Sequence, residues 1–86
     1  MYSIDFEPRA AREFKKLPIQ VQKAIAPAID FLVLNPFSRT LDIKKLENPF
    51  PGYRLRVGDY RVSYIVDTNT KHIVVYRIRH RKDAYK

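Results

Sequence analysis

The 86-residue sequence contains no cysteine. This absence excludes a disulfide framework, a cysteine-ligated zinc site, an iron–sulfur cluster and catalysis by a thiol. The sequence also lacks long apolar runs, since those at 31–34 and 73–76 are far shorter than the roughly 18 residues that a membrane-spanning helix needs. Asp5 and Glu7 stand where a signal peptide would be hydrophobic. We therefore expect a cytoplasmic protein that makes no membrane contact.

Metal ligands in a suitable pattern are also missing. No two carboxylates have the spacing of a paired magnesium site, and no cluster of histidine with glutamate suits zinc. His72 and His80 are separated by roughly 26 Å if both lie in one strand, at about 3.3 Å per residue, so they cannot share a metal. We expect any catalysis to be metal-free and to need no cofactor.

Positive charge is what the sequence has in excess. Lysine and arginine number 17 against 9 acidic residues, a net charge of +8 on a chain that is 45% hydrophobic and 13% aromatic. That balance is typical of a folded cationic domain, and the length suits one domain, 1–86. Residues 53–86 carry nine basic and three acidic side chains, whereas residues 1–52 carry eight and six. The second half is therefore expected to face any polyanionic partner.

Alternation and proline placement predict the N-terminal half. Apolar and polar residues alternate over 2–7, which is typical of a half-buried strand. Pro8 suits the first turn of a short helix that Pro18 ends, and a second helix is predicted over 19–34. Pro27 lies inside the second helix, where its ring and its missing N–H should kink the helix or divide it in two.

The C-terminal half begins with a hairpin. Two alternating segments, 53–57 and 60–66, are separated by Gly58 and Asp59, a two-residue turn of the kind that matches strand twist. This turn sets the pairing and places three arginines on the side away from the core: Arg54, Arg56 and Arg61. Because like charges opposed across strands destabilise a sheet, the cluster suggests an anion site. A solvated sheet face is the alternative.

Loop length decides which side chains of the last predicted strand, 72–78, accompany these arginines. A two-residue turn at 69–70 directs His80 to their side. One more loop residue inverts the parity and brings Arg77 and Arg79 there instead. The sequence leaves both arrangements open.

These elements predict a small α+β domain of order βααβββ. An N-terminal strand is followed by a two-helix hairpin packed on one face of the sheet, and then by a three-stranded antiparallel meander. Residues 37–52 are predicted to be a connector between the helices and the meander.

Two segments carry a resemblance to a known family. The sequences YRLRVGDYRVSY at 53–64 and IRHRKDAY at 78–85, in this order of elements, resemble the RelE/ParE superfamily of toxins over essentially the whole chain. The resemblance implies a toxin that enters the ribosomal A site and cleaves mRNA through attack by the ribose 2′-hydroxyl. It also implies a cognate antitoxin, which we expect to have an acidic contact surface.

The resemblance further implies roles for individual residues. Arg61 and Arg81 match the arginines that stabilise the phosphate, and Tyr85 matches a tyrosine that stacks on or orients the RNA. Arg54 and Arg56 stand where RelE has lysines, one of which is its general base; arginine is a poor base because its pKa lies above 12. Either His80 is then the proton acceptor, as a histidine is in related toxins, or the protein is a weaker nuclease. Further RNA contacts are expected at Lys44, Lys45, Arg79 and Lys82.

A non-catalytic relative is the alternative. It would be a ParE-type poison of DNA gyrase, or a basic protein that binds only nucleic acid and its antitoxin. The joint presence of four residues disfavours this alternative: Arg61, His80, Arg81 and Tyr85.

Overall fold

The computed structural model describes residues 1–47 and 51–83. Its elements are β1 (Ser3–Phe6), α1 (Pro8–Lys15), α2 (Ile19–Leu34), β2 (Ile43–Lys45), β3 (Tyr53–Val57), β4 (Tyr60–Asp67) and β5 (His72–His80). The strands form one sheet in the order β1-β5-β4-β3-β2, in which β1 runs parallel to β5 and the other pairs are antiparallel. The α+β class is confirmed. The predicted connector was wrong in one respect, since Ile43–Lys45 adds a short edge strand beside β3.

Prolines shape both helices. Pro8 occupies the first turn of α1, and Pro18 precedes the first turn of α2. Despite Pro27, α2 is one helix and not two shorter ones. Its inward side buries three side chains four and three residues apart: Ile25, Ile29 and Leu32. No helix in the described part of the chain is both long enough and apolar enough to cross a membrane.

The core lies between the helices and one face of the sheet. The strands contribute six buried side chains to this core face: Leu55, Val62, Tyr64, Ile73, Val75 and Ile78. Tyr64 is the largest of them, and its hydroxyl donates a hydrogen bond to the carbonyl of Pro36 at 2.7 Å. Burial raises the pKa of Tyr64.

The pairing of β3 with β4 confirms the register that the glycine–aspartate turn predicts. Arg56 lies opposite Arg61, and Leu55 lies opposite Val62. Since side chains alternate along a strand, Arg54 points to the same side as Arg56. The three arginines therefore share the face that the helices leave uncovered.

A β-bulge interrupts the pairing of β4 with β5. Tyr64 lies opposite Val75, but the preceding residue, Ser63, lies opposite Arg77. Tyr76 is therefore an extra residue in β5. Such an insertion reverses the side on which every later side chain of the strand lies.

The bulge reconciles the two predicted parities of the last strand. Before it, Ile73 and Val75 face the core, as a two-residue turn predicts. Beyond it, Ile78 faces the core, so Arg77 and Arg79 point to the other side, as the inverted parity predicts. Each arrangement is right for half of β5. We call the surface formed by Arg54, Arg56, Arg61, Arg77 and Arg79 the arginine face.

Candidate nucleic-acid interface

Strand pairing arranges the arginine face in rows across the sheet. Arg56, Arg61 and Arg79 are direct neighbours on β3, β4 and β5. Residues paired in this way have Cβ atoms about 4.5–5.5 Å apart, so three positive charges are crowded together in one row. The next row holds two further arginines, Arg54 and Arg77, on either side of a serine.

The outer members of the arginine face have acidic partners. Arg77 donates through Nε to the Glu13 carboxylate at 3.0 Å, and its Nη2 lies 3.0 Å from the same oxygen. The Nε of Arg56 lies 3.9 Å from Asp42, and both side chains are exposed. An exposed pair at this distance contributes little stability, whereas the half-buried pair of Arg77 with Glu13 is well formed.

Two inner members lack such partners. Arg61 is only 9% exposed, and its Nη1 donates to the carbonyls of Gly58 and Tyr60 at 3.3 Å. The Nε of Arg79 is buried, and no described residue gives it a hydrogen-bond partner. Within residues 1–47 and 51–83, neither guanidinium has a carboxylate at ion-pair distance. Buried charge of one sign without compensation is the electrostatic signature of an anion site.

These guanidinium groups border a cavity of about 270 Å³. Five arginines line it: Arg9, Arg54, Arg61, Arg77 and Arg79. Glu7 is the one carboxylate among its described lining residues, and Leu46 adds an apolar wall. The size is near the lower end of small-ligand sites, so the cavity suits one phosphate group together with part of a sugar or base.

Tyr76, the bulge residue, also lines the cavity. Its hydroxyl donates to the carbonyl of Pro51 at 2.8 Å. Burial raises the pKa of Tyr76, a hydrogen bond with Ser63 lowers it, and the charge of Glu7 raises it. The phenol therefore keeps its proton near neutral pH.

Helix α1 completes β5 where β1 ends. Phe6, the last residue of β1, lies opposite Val75, so no strand of the described residues pairs with the later part of β5 on that side. There the Oε1 of Glu13 accepts the backbone N–H of Ile78 at 2.8 Å. Because Oε2 of the same carboxylate binds Arg77, this side chain secures the edge of the strand and orients an arginine at once.

His80 lies on the other side of the sheet from Arg61. It pairs with Tyr60, and the two rings meet edge to face with centroids 5.2 Å apart. Its Nδ1 accepts the backbone N–H of Lys82 at 3.2 Å. The arrangement in which His80 joins the arginines is therefore wrong, because the bulge reverses the parity of β5 before this residue.

The remaining predicted site residues are dispersed. Arg81 is exposed beside the hairpin turn, where its backbone N–H donates to the carbonyl of Asp59 at 2.7 Å and its Nε lies 3.7 Å from the carboxylate of the same residue. Lys44 lies opposite Arg54 and extends the row of charges to the edge of the sheet, whereas Lys45 lies opposite Tyr53 on the core side. Lys82 is exposed, and Tyr85 lies outside the described residues.

Sequence reasoning missed several cavity residues. Glu7 and Arg9 come from the end of β1 and the start of α1, and they reach the cavity only because β1 pairs with β5. Alternation alone indicated that Glu7 faces away from the core, since Phe6 faces it. To find these residues one would have had to know that β1 pairs with β5 in parallel, which no short-range pattern predicts. The described residues contain no group of three or more acidic or histidine side chains arranged to hold a metal.

A five-stranded sheet with helices on one face and arginines on the other defines a small cationic α+β domain. A family model described as the ParE toxin of type II toxin-antitoxin systems matches residues 4–85. The toxin RelE3 of Methanocaldococcus jannaschii is 33% identical over an alignment of 84 positions that covers 93% of this chain and 91% of that protein. The chain therefore belongs to the RelE/ParE superfamily, the toxins of type II toxin-antitoxin systems.

Solved structures agree in fold. The archaeal RelE-RelB complex from Pyrococcus horikoshii OT3 contains a chain that superposes with a TM-score of 0.81 at 28% identity, covering 96% of this chain and 98% of that one. The toxin-antitoxin complex RelBE2 from Mycobacterium tuberculosis gives 0.78 at 30% identity, covering 92% and 96%. The structural similarity therefore extends over nearly the whole length of this chain and of each chain with which it is compared.

Proposed function

We propose that this toxin is an endoribonuclease that cleaves mRNA in the ribosomal A site without a metal. The observation that supports the proposal most directly is the pair of inner guanidinium groups, Arg61 and Arg79, which border a cavity and have no acidic partner in the described chain. Arginine suits phosphate because its planar fork binds two oxygens and stays charged at any accessible pH.

Arginines at the phosphate stabilise the transition state of an internal attack on phosphorus. When the ribose 2′-hydroxyl attacks the adjacent phosphorus, negative charge accumulates on the phosphate oxygens in the transition state. Fixed guanidinium groups at those oxygens stabilise this charge without having to reorganise. DNA has no 2′-hydroxyl, so this chemistry selects RNA. In the proposal Arg61 and Arg79 hold the phosphate, Arg81 approaches from the end of the hairpin, and Tyr85 stacks on a base.

We propose a cognate antitoxin as the second partner. The P. horikoshii and M. tuberculosis structures that this chain resembles are complexes of a toxin with its antitoxin. Because Arg61 and Arg79 on the arginine face have no carboxylate at ion-pair distance among the described residues, the partner should bring acidic side chains to it. Binding there would also exclude RNA. In the proposal the toxin acts on the ribosome, in the cytoplasm, and the antitoxin restrains it in the same compartment.

The alternative is a ParE-type poison of DNA gyrase. The experiment also tests this alternative, because the matching family model is described as a ParE toxin. The experiment incubates the purified toxin with ribosomes that carry a defined mRNA and maps the RNA ends. We expect cuts at a fixed position within the A-site codon. Intact mRNA, together with gyrase-dependent DNA breaks on expression in cells, would overturn the nuclease and support the alternative.

Variants connect the cuts to the arginine face and to Arg81 beside the hairpin turn. Arg61→Ala and Arg81→Ala should each remove cleavage and growth arrest while the protein stays folded. Arg39→Ala is the matched control, because this arginine is exposed in the loop after α2 and lies outside the arginine face. A 2′-O-methyl group at the cleaved position should block the reaction. Continued cleavage of the methylated RNA would exclude attack by the 2′-hydroxyl.

A further inference from the structure

The cleavage chemistry requires a group that accepts the proton of the 2′-hydroxyl. Guanidinium groups cannot serve, because their pKa lies above 12. His80 lies on the opposite side of the sheet from Arg61, and its Nδ1 already accepts the N–H of Lys82. The acceptor must therefore be sought among the other residues that line the cavity.

Elimination leaves one candidate in the described lining. Leu46 has no titratable group, and the Ser63 hydroxyl holds its proton at any accessible pH. Tyr76 keeps its proton as well, because burial raises its pKa. The remaining lining residue that is not an arginine is Glu7. A carboxylate can accept a proton as a general base.

The backbone holds Glu7 in place while its carboxylate stays available. Its N–H donates to the carbonyl of Val75 at 2.9 Å, which extends the β1–β5 pairing by one residue. Pro8 follows and begins α1. In the described chain no cation lies within ion-pair distance of Glu7, in contrast to Glu13, whose two oxygens are both engaged. Glu7 is also exposed, so substrate can reach it.

We propose that Glu7 is the catalytic proton acceptor of this toxin, an inference that rests on the proposed endoribonuclease function. The carboxylate takes the proton of the 2′-hydroxyl as O2′ bonds to phosphorus. The P–O5′ bond breaks, and the leaving 5′-oxygen takes a proton from water, so the products are a 2′,3′-cyclic phosphate and a 5′-hydroxyl end. Arg61 and Arg79 hold the phosphate oxygens during the exchange.

The surroundings of Glu7 suit this role. The charged and titratable groups that share the cavity come from α1, β3, β4 and β5: Arg9, Arg54, Arg61, Arg77, Arg79 and Tyr76. The guanidinium groups attract the phosphate and so place the ribose beside it within the reach of the Glu7 carboxylate. One carboxylate among five arginines weakens anion binding, which is the expected consequence when the base must lie next to the phosphate site.

The test is Glu7→Gln, measured by single-turnover cleavage of ribosome-bound mRNA. A general base contributes on the order of 10²–10⁴-fold, so we expect the rate to fall by about that factor. Affinity for the RNA should stay the same or increase, because the variant removes a negative charge from a cationic site. Asp5→Asn is the control: it also replaces a carboxylate by an amide on the same side of β1, at a residue outside the cavity whose contact is with the Nε2 of His72 at 3.1 Å, and it should cleave at the wild-type rate.

A second substrate separates a base from other roles. When sulfur replaces the bridging 5′-oxygen, the leaving group no longer needs a proton, so a defect in the general acid is relieved and a defect in the base persists. We expect Glu7→Gln to stay slow on this substrate. If Glu7→Gln recovers the wild-type rate on the sulfur-containing substrate, or cleaves ordinary mRNA at the wild-type rate, the assignment of Glu7 is overturned and the endoribonuclease function is not. Failure of the wild-type toxin to cleave would instead overturn the endoribonuclease function.

Discussion

The two faces of the sheet are built on opposite principles. On the core face Tyr64 is completely buried, and its one polar atom has a partner in Pro36. On the arginine face Arg61 is almost as buried, yet within the part of the chain that the structure describes it makes two long hydrogen bonds to carbonyls, and the Nε of Arg79 makes none. The core face therefore supplies stability, whereas the arginine face keeps charges uncompensated. The second property is what a binding site for an anion requires.

The largest effect on stability should come from the core face. We expect Tyr64→Ala to lower the free energy of unfolding by about 3–5 kcal/mol, because it removes a ring from a filled core and leaves the Pro36 carbonyl without its donor. Urea denaturation followed by circular dichroism measures this loss. Tyr64→Phe is the control that removes only the hydroxyl, and we expect it to lose less. A loss below about 1 kcal/mol for the alanine variant would contradict the division between the faces.

A smaller loss is expected where the two faces meet, at Glu13. Glu13→Ala removes a hydrogen bond to Ile78 and the ion pair with Arg77, both half-buried, so we expect a loss of about 2–3 kcal/mol. Glu13→Gln keeps an acceptor for the backbone N–H and should lose less. Urea denaturation again gives the values. Equal stability of wild type and Glu13→Ala would show that α1 does not secure the edge of β5.

The sequence predicts local pairing well and long-range pairing poorly. The Gly58-Asp59 turn was sufficient to predict the register of β3 with β4, because a two-residue loop with a positive φ at glycine leaves one way to pair the strands. Three arginines on one side followed directly. The edge strand at Ile43–Lys45 escaped prediction, since three residues are too few to show a period.

The bulge at Tyr76 explains why His80 does not lie on the side of the arginines. Strict alternation in β5 cannot bury Val75 and Ile78 together, since they are three residues apart, and an inserted residue resolves the conflict. The spacing was visible in the sequence, but the position of the bulge depends on distant contacts. Glu13, 65 residues away from Ile78, is one of them. Such contacts have no local signature, so the cavity could not be predicted in full.

A gain in stability is expected on the arginine face, where removing charge should relieve repulsion. We expect Arg79→Met, which keeps an unbranched apolar stem and removes the guanidinium charge, to raise the free energy of unfolding by about 0.2–1 kcal/mol at low salt. Phosphate should raise the midpoint of thermal unfolding of the wild type more than chloride does at equal ionic strength, and this difference should shrink in the variant. A destabilised Arg79→Met would mean that the charge row supports the fold.

The smallest effect is a change in the pKa of Tyr76, and it tests whether the Glu7 carboxylate faces the cavity that the arginines line. Burial is the main cause that raises the pKa of Tyr76, and the charge of Glu7 adds to it. A raised pKa favours the protonated phenol in the folded state, so its contribution to stability is present below the ordinary tyrosine range and is lost as pH rises through the raised value.

In Glu7→Gln the pKa of Tyr76 should fall slightly yet stay above its ordinary value. Ultraviolet absorbance of the phenolate measures it, Tyr76→Phe identifies the signal, and Asp5→Asn should leave it in place. If Glu7→Gln leaves the titration unchanged, the Glu7 carboxylate does not face the cavity, and the arginine face has no base of its own.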